Sequence, residues 1–188
     1  EHAVALMLAA ARCLPQANAA LKGGVWDRKS FAGRQIQGKT LGLVGLGNVG
    51  AEVAKRGRGL GMTVLAYDPY VTEERAAAVG ARLTDLPTLL GESDFVSLHA
   101  TASAETEHLL GAEQLARLKP EAVLINTARG SLIDEPALVA ALRAGQLAGA
   151  ALDVFAEEPT GNRELVELPN VIATPHMRPG MFDNDAAA

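Results

Sequence analysis

One decapeptide constrains the fold of this chain more than any other feature. Leu41-Gly42-Leu43-Val44-Gly45-Leu46-Gly47-Asn48-Val49-Gly50 sets glycines at 45, 47 and 50 in the pattern G-x-G-x-x-G. The pattern alone is weak. Here it follows an apolar run that reads as a strand and opens a stretch that reads as a helix, and that context gives it meaning. Gly45 permits a tight turn, Gly47 lets a pyrophosphate approach the backbone, and Gly50 lets the helix sit close on the strand. The amides of Asn48 and Val49 would face the phosphates from the helix N-terminus. The next apolar run ends in Asp68, close to the interval of ~20 residues at which such sites carry an acid. A carboxylate there bonds the ribose hydroxyls and repels a 2′-phosphate, so the expected cofactor is NAD and not NADP.

Around this motif the pattern is regular. Short runs rich in Val, Leu and Ile fall at 40–44, 62–67, 95–98, 122–125, 148–152 and 171–173. Helical stretches are predicted near 49–60, 72–79, 84–90, 111–117 and 134–144. Continuous apolar strands alternating with helices indicate a parallel sheet covered on both faces, a Rossmann-type doubly wound α/β domain. Asp134 before Glu135-Pro136 reads as an N-cap with an acid and a proline in the first turn. Residues 1 to 21 read as one helix, apolar almost all round, with Pro15 as a potential kink. Such a helix is covered either by its own domain or by a partner.

Composition narrows the class. With 188 residues and 48% apolar content the chain builds a core without staples. A formal charge of −5 gives no general attraction to nucleic acid or anionic membrane, and neither is expected as a partner. No run approaches the ~18 apolar residues of a membrane span. A single cysteine, Cys13, points to a reducing compartment and thus to the cytoplasm. His2, His99 and His108 show no metal-ligand spacing, so no metal is expected, and Lys55, Arg56 and Arg58 read as a solvated helix face.

Three further segments follow predicted strands: Asn126-Thr127-Ala128-Arg129-Gly130, then Asp153 to Pro159, then Thr174-Pro175-His176. All lie at the carboxyl edge of the sheet, where such folds bind ligands. An arginine, an acid and a histidine converge there.

Together these segments, with Gly38-Lys39-Thr40-Leu41-Gly42 and Tyr67-Asp68-Pro69, resemble the cofactor domain of the D-isomer-specific 2-hydroxyacid dehydrogenases over residues 1 to 176. The resemblance implies NAD-dependent oxidation of a D-2-hydroxy acid, with 3-phosphoglycerate as the expected substrate. Glyoxylate, hydroxypyruvate, D-lactate and formate remain open, as does an NAD-sensing corepressor without turnover. It implies that Arg129 binds the substrate carboxylate and polarises its oxygen. His176 would be the general acid/base, and Glu158, the acid immediately before the proline, would orient it. Asp153 would contact the nicotinamide carboxamide. Pro69, Ala100, Thr127 and Ala128 would line the cofactor, with Arg129 and His176 also at its edge. Residues 1–37 would form an interdomain and dimerisation helix with its connector, 38–176 the NAD-binding domain, and 177–188 a tail. The family pairs the first helix across a dimer axis, so a homodimer is expected.

Three departures from the family pattern stand out. Thr101-Ala102 follow His99-Ala100, where a proline is usual. Arg178-Pro179 follow His176-Met177, where small residues are usual. The chain opens without Met, and the segments from which the family builds its substrate domain are not in this sequence. The expectation is a cofactor-binding part that binds NAD and turns over poorly by itself.

Overall fold

The central apolar runs become strands here because they are buried on both faces, which a parallel sheet under two helix layers provides. The structure is a computed structural model and describes residues 1–177. In chain order the elements are α1 (His2–Ala11), α2 (Leu14–Lys22), β1 (Thr40–Val44), α3 (Asn48–Gly59), β2 (Thr63–Tyr67), α4 (Glu73–Ala78), β3 (Ala81–Leu83) and α5 (Leu86–Glu92). They continue as β4 (Phe95–Leu98), α6 (Ala112–Leu115), β5 (Val123–Asn126), a 3-10 turn (Gly130–Leu132), α7 (Glu135–Arg143), β6 (Gly149–Leu152), α8 (Arg163–Val166) and β7 (Val171–Ala173).

The seven strands run parallel in the order β3-β2-β1-β4-β5-β6-β7. The chain winds outward from β1 to β3, then returns to lay β4 against the other side of β1. That reversal leaves a crevice beyond the carboxyl ends of β1 and β4, where such sheets take their ligands. The expected doubly wound, Rossmann-type sheet is thus present.

Each face has its own core. On one side Leu43, Val64, Ile125 and Ala151 of the sheet meet Leu6 and Met7 of α1 and Val53 of α3. On the other, Leu65, Leu98, Leu124 and Leu152 meet Leu89 of α5, Leu115 of α6, Leu138 of α7 and Leu165 of α8. At ~25 cal/mol per Å² of apolar surface removed from water, each such leucine contributes about 1.5–3 kcal/mol.

Two local expectations change. Residues 1–21 are not one helix but two, bent by 64°. The break lies at Cys13, whose φ of 52° is left-handed. Pro15 sits in the first turn of α2, where its missing N–H leaves no bond unmade. The apolar face of α1 is covered by its own domain, against β5 and β6. Two elements are also added. The edge strand β3 is three residues long with Arg82 exposed at its centre, too short for a period-two signal. The single turn α8 is capped by Asn162, which accepts from the Leu165 amide. The Asp134 cap is present and accepts from the Ala137 amide at 3.1 Å. Arg178, Pro179 and the remaining tail lie outside the described residues.

Candidate active site at the carboxyl edge

The glycine loop is built by close backbone contact. Gly45 has φ of 95°, and a side chain there would press on the His99–Ala100 peptide, with Cβ 2.7 Å from the Ala100 nitrogen. The ends of β1 and β4 are thereby joined across the topological switch. A Cβ on Gly50 would lie 2.3 Å from the Gly45 oxygen, so this glycine lets α3 start directly over the turn. Gly47 is different. It is exposed, and an added Cβ would meet nothing within 4 Å. The space above Gly47 is open. The amides of Asn48 and Val49 begin α3 and have no acceptor within the helix.

Asp68 stands at the end of β2 beside this loop. Its Oδ2 accepts from the Leu46 amide at 2.8 Å and its Oδ1 from the Tyr70 amide at 3.0 Å. The carboxylate therefore has a structural task in holding the loop. Each oxygen keeps acceptor capacity for a sugar hydroxyl. Gly45, Gly47, Asp68, Pro69 and Ala100 line one cleft of about 350 Å³. Val49, Ala100, Thr127, Ala128 and Arg129 line its continuation, of about 370 Å³. His99 borders both. Burial holds its imidazole neutral, with the pKa pushed down to about 4, and its Nε2 is 3.0 Å from the Ser97 hydroxyl.

The three catalytic candidates are only partly brought together. Glu158 Oε2 lies 2.7 Å from His176 Nδ1, so the pair predicted from the sequence is formed. The Phe155 amide donates to the other carboxylate oxygen at 3.1 Å. The hydrogen bond from His176 holds the Glu158 carboxyl below its usual range, while burial and the Asp153 charge work against this. The Glu158–Pro159 peptide is cis, and His176 itself has φ of 48°, a left-handed conformation uncommon in a residue with a side chain. These residues line a recess of about 590 Å³. Arg129 faces the cofactor cleft instead, exposed, with one guanidinium N–H donating to the Ala128 carbonyl at 2.6 Å.

The two loops nevertheless touch. A Cβ on Gly130 would fall 1.8 Å from the Phe155 carbonyl carbon, so the backbone after Arg129 lies against the backbone that leads to Glu158. Asn126, fully buried, folds the Arg129 turn: its Nδ2 donates to the Arg129 carbonyl at 2.9 Å and its Oδ1 accepts from the Ala128 amide at 3.0 Å. Sequence reading assigns Asn126 no role, although an asparagine ending an apolar strand is a local turn signal.

These features match a known family. Residues 4–178 fit the profile of the D-isomer specific 2-hydroxyacid dehydrogenase, NAD binding domain. The chain belongs to this family. A D-3-phosphoglycerate dehydrogenase of Synechocystis is 50% identical over 94% of the chain, and one of Archaeoglobus fulgidus is 49% identical over 94%. The chain spans about a third of these relatives, 32% and 34% of their lengths. Among solved structures, a glyoxylate reductase from Paecilomyes thermophila superposes with a TM-score of 0.89 at 37% identity, over 96% of this chain and 55% of that one. A D-lactate dehydrogenase with NAD+ from Lactobacillus jensenii gives 0.83 at 34%, over 93% and 57%.

The NAD-binding domain of the D-2-hydroxyacid dehydrogenases explains why the glycine loop, the acid at the end of β2 and the loops after β5, β6 and β7 share one edge. The residues present fit the dinucleotide, because the backbone at Gly47 is open and the first amides of α3 have no acceptor within the helix. Sequence reading missed two residues near Asp153: His2 Nε2 lies 3.2 Å from its Oδ1, and the Thr174 hydroxyl donates to the same oxygen. A histidine opening an otherwise apolar helix was the one available sign of the first.

Proposed function

We propose that this chain supplies the cofactor half of an NAD-dependent dehydrogenase for a D-2-hydroxy acid, with 3-phosphoglycerate as the substrate. The observation that carries the reading is the Glu158–His176 pair, held at 2.7 Å on the edge that also carries the dinucleotide loop. Glu158 orients the imidazole through Nδ1 and leaves Nε2 to exchange a proton with the substrate hydroxyl. The carboxylate also favours the imidazolium formed when that proton is taken. Arg129 has further N–H donors for the substrate carboxylate, a planar group matched by the guanidinium fork. NAD, when bound, would supply the hydride acceptor for the carbon that carries the hydroxyl, which would become the carbonyl carbon of the 2-oxo acid. Gly45, Gly47, Gly50 and the amides of Asn48 and Val49 would hold its pyrophosphate. Asp68 and Pro69 would flank its ribose, Ala100, Thr127 and Ala128 its remaining length, and Asp153 its carboxamide. The division into 1–37, 38–176 and 177–188 is part of the same reading, as is a cytoplasmic location, which the single cysteine supports.

The test pairs calorimetry with a rate assay. NAD is expected to bind at least about ten-fold tighter than NADP, because a 2′-phosphate would replace the hydrogen bond to Asp68 with repulsion between like charges. NAD reduction dependent on 3-phosphoglycerate is expected to fall by about 100-fold or more in His176→Asn, the usual contribution of a general base. Equal affinity for the two cofactors would overturn the cofactor reading, and an unchanged rate would overturn the role of His176.

The same reading includes a homodimer. Leu14 and Leu21 on α2, with Val25 and Trp26 after it, are 54–78% exposed, an apolar surface that water does not favour. A second copy of the chain would cover it. Light scattering at micromolar concentration is expected to give twice the chain mass, and a monodisperse monomer would refute it.

A further inference from the structure

We propose that His2 is a positioning residue for the nicotinamide end of the site, acting through the Thr174 hydroxyl on Asp153. The proposal rests on the NAD reading above and adds to it a residue from the far end of the chain.

Asp153 is 4% exposed, at the end of β6. A buried carboxylate must collect donors or lose its charge. Its Oδ1 takes the Met177 amide at 3.0 Å and the Thr174 hydroxyl, and His2 Nε2 stands 3.2 Å away. Its Oδ2 takes only a longer share of the Met177 amide, at 3.1 Å. The donors are therefore crowded on one oxygen, and the other keeps capacity for an amide N–H. Fixing Oδ1 fixes which way Oδ2 points.

Both donors belong to the loop after β7, where Thr174 and Met177 bracket His176. His2 comes from elsewhere. It opens α1, which packs on β5 and β6 through Ala3, Leu6 and Met7. The helix sets His2 at the carboxyl edge, where Nε2 also lies 3.3 Å from the Thr174 hydroxyl oxygen. The Thr174 hydroxyl spends its proton on Asp153, so its oxygen accepts from His2, and the tautomer carries its proton on Nε2. His2 thus ties Asp153 and the His176 loop to a rigid element of the core. A flexible loop could not supply that anchor.

The experiment measures NAD and ADP-ribose affinities for the chain by calorimetry. ADP-ribose lacks the nicotinamide and reports on the rest of the site. His2→Leu removes the donor. It is expected to weaken NAD by about five-fold, as loss of one hydrogen bond in the chain to Asp153 does, and to leave ADP-ribose unchanged. His2→Gln places an amide N–H near the position of Nε2 and is expected to restore most of the NAD affinity. Two results would overturn the proposal: NAD affinity unchanged in His2→Leu, or equal weakening of both ligands, which would mark a purely structural residue. If the unaltered chain binds neither ligand, the NAD reading falls and takes this proposal with it.

Discussion

Gly47→Ala is expected to weaken cofactor binding by about ten- to a hundred-fold while leaving the fold intact. Gly47 has φ of −68°, a value any residue adopts, and its added Cβ meets nothing within 4 Å. The new methyl group therefore clashes with nothing in the folded chain, and the stability should change by less than about 0.5 kcal/mol. The Cβ would occupy the space through which a pyrophosphate approaches the loop. Overpacking of that kind costs about 1–3 kcal/mol, or about ten- to a hundred-fold in Kd. Gly50→Ala is the counterpart. Its Cβ would stand 2.3 Å from a backbone oxygen, so stability and binding should fall together. NAD affinity unchanged in Gly47→Ala would show that the ligand does not cross this glycine.

Gly130→Ala carries the largest expected loss of stability. The new Cβ would lie 1.8 Å from the Phe155 carbonyl carbon and 2.3 Å from the Ala156 nitrogen. Both are backbone atoms, so no rotamer change relieves the clash. The Arg129 loop and the Glu158 loop must separate. The cost exceeds about 3 kcal/mol, which lowers the melting temperature by about 6–12 °C in a domain of this size. Any 3-phosphoglycerate-dependent rate should be lost with it, because Arg129 and Glu158 move apart. A scanning calorimetry trace within about 1 °C of the parent would refute the close approach, since about 3 kcal/mol cannot hide in that interval.

Much of the site was legible because its signals are local. Glycines whose spacing matches a turn, an acid at a strand end and an aspartate before a helix each act on neighbours in the chain. The same is true of the strands, which the apolar runs located within a residue or two at most ends. The residues that were not legible act across long separations. Asn126 builds a turn whose purpose shows only once Gly130 is seen against Phe155. Asp68 reads as a ribose ligand from its position, yet the structure also has it holding the Leu46 and Tyr70 amides. The helix break at Cys13 escaped because Pro15 was the more obvious breaker, while a single left-handed residue leaves no composition signal.

The sequence by itself determined a parallel α/β sheet with a dinucleotide loop after β1, because period, turn chemistry and helix capping are properties of adjacent residues. It also determined that Glu158 and His176 stand at neighbouring strand ends. Only the tertiary structure decided which of these groups touch. It left Arg129 facing the cofactor cleft, apart from the expected Glu158–His176 pair, and brought His2 to Thr174 beside Asp153. Such contacts depend on how helices lie across the sheet, and that is set by the packing of two separate cores.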